Sequence, residues 1–287
     1  MIYLLLSVIF STSLFVIFKY FDIYKIDTLK AIVVNYIVAF ILGFTLAENK
    51  ISISSLPNQP WVFGAIALGL LFVSIFFVMA LTAQRNGVSV VSVAGKMSVV
   101  VPILLGVYLY NESLGAFKIT GILIALVAVY LASVKEDENK HEKAGLLLPI
   151  ILFIGSGTID TTLKYVQDTY VAQNDVEVFS GSLFGFAAFF GLIILIVKTI
   201  KKPEAFGFKN IVAGIVLGIP NYYSIVFLIK SLQTKGFESS TLFTINNVSI
   251  VIVSTLVGLL LFKEKFSIKN KIGIVLAILG IVLVAIA

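Results

Sequence analysis

One stretch of this chain is written twice, and that fact constrains the fold more than any other. Residues 80–131, ALTAQRNGVSVVSVAGKMSVVVPILLGVYLYNESLGAFKITGILIALVAVYL, return near the C-terminus as IKSLQTKGFESSTLFTINNVSIVIVSTLVGLLLFKEKFSIKNKIGIVLAILGIVLV, beginning at Ile229. An offset of 152 positions pairs Gly106 with Gly258, Leu109 with Leu261, Glu112 with Glu264, Gly121 with Gly273, Ala125 with Ala277 and Leu131 with Leu283. Small residues and one acid held in register over that length define an internal repeat, which decides architecture before any element is assigned. Upstream, an offset of 149 pairs Gly69 with Gly218 and Gly87 with Gly236, and 145 pairs Ser11 with Ser156, Lys19 with Lys164 and Tyr20 with Tyr165. Small insertions between helices or at their ends account for the drift.

The repeated unit is far too apolar for water. Hydrophobic residues make up 59% of the 287 and charged residues 13%, with a mean hydropathy of +1.08, against about 45–50% and about 25% in soluble domains. The apolar residues come in unbroken runs without strand alternation, each about long enough to cross a bilayer as a helix. Ten runs are readable, near 2–20, 31–47, 61–83, 88–110, 117–134, 145–165, 178–197, 211–232, 240–262 and 268–286. The first lacks the basic start and cleavage site of a signal peptide and is kept as a span. Trp61, with Pro57 and Pro60 beside it, reads as an interfacial start to the third.

The polar run KEDENKHEK, Lys135 to Lys143, lies where two halves of five spans meet. The reading is a first repeat over 1–134, a linker over 135–144 and a second repeat over 145–287. Five is odd, so the second repeat enters the membrane from the opposite side. The predicted fold class is therefore all-α integral membrane, ten transmembrane helices in two inverted-topology five-helix repeats, an architecture common in secondary transporters. Fourteen of the 21 Lys and Arg fall in loops after odd-numbered spans and three in the other loops, with Lys19, Lys96, Lys164 and Lys230 embedded. The positive-inside rule then puts the odd loops in the cytoplasm and both termini outside.

At this point the chain resembles a known family. The Ala80-Leu81 span end, the Asn86-Gly87 turn, Pro102, Gly106, Asn111-Glu112 and the Gly121-rich last helix are similar to the EamA domain of the drug/metabolite transporter superfamily. The second copy matches at Lys235-Gly236, Gly258, Lys263-Glu264 and Gly273, and departs by carrying Ser254 where the first has Pro102. The resemblance implies a carrier in a cell (inner or plasma) membrane, with substrates ranging over amino acids, drugs, nucleotide sugars and phosphorylated metabolites. It also implies both termini in the cytoplasm, opposite to the charge count.

Polar residues inside the spans are the candidates for a substrate site. Lys96 lies about nine residues into its span, roughly 13 Å from that end, where an ammonium facing lipid costs about 3 kcal/mol or more. Ser89, Ser92 and Lys96 share one helical face. Lys96 either lines an aqueous cavity or snorkels to the nearer interface. The matching place in the second copy is Asn246-Asn247, which either meets a ligand or joins helices by hydrogen bonds. Asp160 and Lys164 stand one turn apart, as a self-neutralising pair or with Asp160 as the site of a coupling proton. Pro220-Asn221-Tyr222-Tyr223 interrupts the eighth span, and Asn221 and Tyr222 either satisfy the freed carbonyl or touch substrate. Glu112 and Glu264, repeated at span ends, read as structural acids at a turn, on opposite membrane faces.

The expected function is a secondary transporter moving a small polar metabolite, carboxylate- or phosphate-bearing or amino-acid-like, by alternating access. The alternatives are a lipid-linked-sugar flippase of the same superfamily and a channel or assembly subunit without a transport cycle. An enzyme is not expected. The chain has no cysteine, its only histidine is His141 in the linker, and no clustered aspartates or phosphate-binding glycine loop occur. No metal, cofactor or nucleic acid is expected. The expected partners are the small-molecule substrate, membrane lipids and a coupling proton, with the chain a monomer or homodimer.

Overall fold

The computed structural model describes residues 2–46, 53–101, 104, 115–133, 145–171, 175–201, 203, 205–232 and 239–285. The linker, Pro102, Gly106, Glu112, Lys235 and Gly236 lie outside them. The described residues form ten α-helices and no strand: α1 Ile2–Ile23, α2 Thr28–Leu46, α3 Val62–Asn86, α4 Val88–Met97, α5 Ala116–Ser133, α6 Leu147–Tyr170, α7 Val176–Lys201, α8 Phe208–Leu232, α9 Ser239–Leu260 and α10 Ile268–Ala285. A short 3₁₀ turn, Ile53–Asn58, precedes α3. Six helices are long and apolar enough to cross a membrane, namely α1, α2, α3, α6, α7 and α8, the first three of each copy; α4, α5 and α9 supply shorter apolar stretches. Large apolar side chains such as Phe63, Leu260 and Ile268 are mostly exposed, which is tenable in lipid and costly in water. The molecule is an all-helical, multi-pass membrane protein.

The chain forms two compact units that cut across the copies: 1–20, 78–158 and 223–287 make the first, and 21–77 with 159–222 the second. Four continuous helices, α1, α3, α6 and α8, contribute to both.

In the first unit α5 packs along α10 at the closest range small residues permit. A Cβ at Gly273 would strike the backbone at Leu131 and Ala132, and one at Gly280 would lie 3.3 Å from Ile124 Cγ2. Contacts at 273 with 132 and at 280 with 124 fix an antiparallel course. Asn270 locks this end by donating to the carbonyls of Leu131 and Ala132 at 3.1 and 3.0 Å.

The second unit repeats the device. A Cβ at Gly43 would lie 2.8 Å from Gly181 Cα, and one at Gly191 3.0 Å from Val33 Cγ2, so α2 and α7 are also antiparallel. Gly69 of α3 meets Phe186 and Ala187 of α7, while Gly218 of α8 meets Asn35 and Val38 of α2. These are equivalent contacts at the offset of 149 read from the sequence. Trp61 stands just before α3, as expected, and its ring is packed inside the protein. It is 1% exposed, edge-on to Phe179 with centroids 5.5 Å apart, and its indole N–H has no partner among the described residues. The core with Ala65, Leu68, Val178 and Leu183 offers area in place of that bond.

Candidate functional site

The first unit holds α4, the helix that carries Ser92 and Lys96. Its N-terminus follows Gly87, whose φ of 109° is open to glycine and strained for other residues. No side chain of α4 itself caps the helix. The acid from the α9–α10 turn does so: Glu264 accepts from the Val88 N–H at 2.6 Å, the Ser89 N–H at 3.4 Å and the Ser89 hydroxyl at 3.1 Å. An anion at the positive end of a helix is favourable. Glycine on both sides leaves room for it, since a Cβ at Gly87 or Gly258 would lie 2.6 or 2.5 Å from a Glu264 carboxylate oxygen and push the carboxylate from its place. The structural role expected of Glu264 is thus visible as a clamp joining α4 to the end of α9.

On α4, Ser89 and Ser92 are buried, and the Ser92 hydroxyl donates to the Ser89 carbonyl at 2.8 Å. Lys96 is partly exposed on the same face, beside Gly95, where a Cβ would meet nothing within 4 Å. α4 packs on α9 within this unit. There Asn246, Asn247 and Ser254 are all buried, Ser254 bonding its own helix at 3.0 Å. Among the described residues the Asn246 side-chain oxygen meets no donor, and the buried Thr12 hydroxyl of α1 no partner. Unpaired buried acceptors are uncommon and costly, on the order of 1–3 kcal/mol. Lys19 of α1 donates to the Gln84 carbonyl of α3 at 3.0 Å.

The other candidates belong to the second unit. Asp160 is exposed on α6, and Lys164 follows it by one turn. Asn221 is buried on α8, one residue after Pro220, and its amide donates to the Asn35 side-chain oxygen of α2 at 3.1 Å. Tyr222 is buried, its ring 3.7 Å from a Cβ built at Gly43. Ser92, Lys96, Asn246 and Asn247 therefore share one unit, and Asp160, Lys164, Asn221 and Tyr222 the other.

Sequence reading missed Asn35 and a charged network around Asp27. Asp27 N-caps α2 by accepting from the Lys30 N–H at 3.1 Å, accepts from the Lys198 ammonium at 2.9 Å, and lies 3.7 Å from the Lys30 ammonium. Burial pushes its carboxyl up, but the Lys198 and Lys30 bonds and charges outweigh that and hold it below its ordinary 3.8. Asn35, a lone amide in an apolar span, was the available signal for its pairing. Asp27 and Lys198 sit 171 residues apart, and no local pattern joins them.

Residues 1–134 and 144–286 each match the EamA-like transporter family. The chain belongs to that family. A Haemophilus influenzae protein described only as uncharacterized is 28% identical over 287 residues, covering 97% of this chain and 95% of its own. A protein of known crystal structure shares the fold with a TM-score of 0.62 at 15% identity, over 98% of this chain and 94% of that one.

Proposed function

We propose that this chain is a ten-span secondary carrier of two inverted repeats, 1–134 and 145–287, moving a small polar metabolite across the cell membrane by alternating access. Membership of a transporter family supports transport. The inverted arrangement is supported by the repeat-equivalent pairs, since α5 runs antiparallel to α10 and α2 to α7, as helices inserted from opposite sides must. Among the embedded charges Lys19, Lys96, Lys164 and Lys230 face a single acid, Asp160. That excess favours a carboxylate- or phosphate-bearing substrate, and Lys96 on the polar face of α4 is its anchor. Ser92, Asn246 and Asn247 complete that face. Within the second unit, Asn221, Tyr222 and Lys164 are candidate substrate contacts in their own right, and Asp160 is the candidate coupling-proton residue.

The test is a thermal-shift screen of purified protein against amino acids, organic acids and sugar phosphates, followed by counterflow in proteoliposomes. Lys96→Gln removes a charge-assisted bond worth about 1.5–3 kcal/mol, so about a 10–100-fold weaker apparent affinity is expected. Unchanged transport by Lys96→Ala would remove Lys96 from the site. One observation favours the flippase reading. A groove of about 250 Å³ between α5 and α6, lined by Leu126, Val129, Tyr130, Leu146, Ile150, Phe153 and Ile154, is almost wholly apolar. Failure of saturable counterflow with every soluble metabolite, together with movement of a lipid-linked sugar, would favour it. Absence of saturation altogether would favour a channel or assembly subunit.

A further inference from the structure

The second unit carries a basic platform made of residues other than the candidate substrate contacts. It is built from residues 22–30, joining α1 to α2, and 198–210, joining α7 to α8. These segments hold six lysines against three carboxylates, a net +3. Hydrogen bonds fix them to each other. The Asp27 N–H donates to Asn210 Oδ1 at 3.0 Å, Lys198 to Asp27 at 2.9 Å, Lys30 to the Ala205 carbonyl at 3.0 Å, and Lys209 to the Lys25 carbonyl at 3.1 Å. Asp27 is thereby committed to Lys198 and the buried Lys30, and cannot neutralise the outer lysines. Asp22 lies 3.4 Å from the Lys25 ammonium, in a solvent-exposed pair of little strength.

Three of these lysines have a common setting. Lys25, Lys201 and Lys209 are exposed, and each directly follows an outward apolar side chain: Tyr24 at 65%, Ile200 at 76% and Phe208 at 77% exposure. On a membrane protein such side chains face hydrocarbon or its boundary, and an ammonium one residue away stands at headgroup depth. The two segments present this same apolar-then-lysine step three times at one end of one unit.

We propose that this platform binds the phosphate headgroup of an anionic bilayer lipid, with Lys25, Lys201 and Lys209 as phosphate ligands and Tyr24, Ile200 and Phe208 against its acyl chains. A free anion would satisfy the lysines and leave the apolar ring unused. A neutral lipid would do the reverse. Juxtamembrane lysines each strengthen attraction to anionic lipid about fivefold. Because three are pre-positioned by the Asp27 and Asn210 bonds, their effect adds at one site.

The experiment uses the full chain in neutral detergent. Its unfolding midpoint is titrated with phosphatidylglycerol, with phosphatidylcholine of the same acyl chains, and with inorganic phosphate. Saturable stabilisation by phosphatidylglycerol alone is expected. The variant Lys25→Gln/Lys201→Gln/Lys209→Gln should weaken that affinity at least tenfold, and the corresponding triple arginine variant should retain it. The variant Lys265→Gln/Lys269→Gln/Lys271→Gln removes equal charge at the α9–α10 end and should stay within about threefold of the parent. Equal losses in the two glutamine variants would mean diffuse surface attraction and overturn the site. So would a matching shift with inorganic phosphate, which would assign the lysines to a soluble anion, or no preference for phosphatidylglycerol in the parent.

Discussion

Glu264 shows how one side chain acquires a role that its own neighbours in sequence do not express. Its carboxylate replaces the missing cap of a helix more than 170 residues upstream, accepting from Val88 and Ser89. Two glycines, Gly87 and Gly258, exist where any Cβ would crowd it. Glu264→Ala leaves the α4 amides unsatisfied, a loss of about 1–3 kcal/mol, and a lower unfolding midpoint in detergent is expected. Glu264→Gln keeps an acceptor and loses the charge–dipole part, about 0.3–1 kcal/mol, so its midpoint should fall between the other two. Equal midpoints for parent and Glu264→Ala would deny the clamp. Repetition with Glu112 made a structural role legible, but the recipient of the hydrogen bonds was not. Lys96 was legible for the opposite reason: an ammonium deep in an apolar run is conspicuous without any structure.

Among the elements, α2 depends most on distant chain. Its N-terminus is capped by Asp27, and Asp27 is held by Lys198 at the end of α7 and by Asn210 at the start of α8. The Asp27 carboxyl is depressed below 3.8 in the folded protein, so it binds its proton less readily folded than unfolded. Its contribution to stability is fully present above that value and is lost as pH falls through it towards the folded-state value. Asp27→Asn should therefore lower the midpoint at neutral pH and flatten the acid limb of the midpoint–pH curve below about pH 5. An unchanged acid limb in the variant would show that Asp27 does not govern it. Deeper in α2, Asn35 receives the Asn221 amide beside Pro220, which was expected to interrupt this span but which α8 carries without a break. A buried polar pair between helices accounts for Asn221 structurally, so its contact with substrate rests on transport measurements alone.

At the scale of the whole molecule the loop charges carry the remaining prediction. Lys25, Arg85, Lys198, Lys209, Lys263 and Lys265 all lie in or beside connections after α1, α3, α7 and α9, and the positive-inside rule makes that face cytoplasmic. A phosphatase reporter fused after Ala287 should then be active and a fluorescent reporter dark. The reverse would put the basic face outside and agree with the orientation the family resemblance implies. What the sequence alone determined was the solvent, the repeat and the family. Each is written in composition or in a constant offset, and hydrophobic runs of bilayer length leave the backbone no alternative to helix. One glycine pair at the offset of 149 packs equivalently, Gly69 on α7 and Gly218 on α2. What only the tertiary structure decided was the division into units. Each takes chain from both copies and cuts four helices, because close packing follows the small residues wherever they meet in space and not the order in which the copies are written. The Glu264 clamp and the Asp27 network belong to that second class: their distant partners lie 171 to 183 residues apart, where spacing along the chain says nothing about distance.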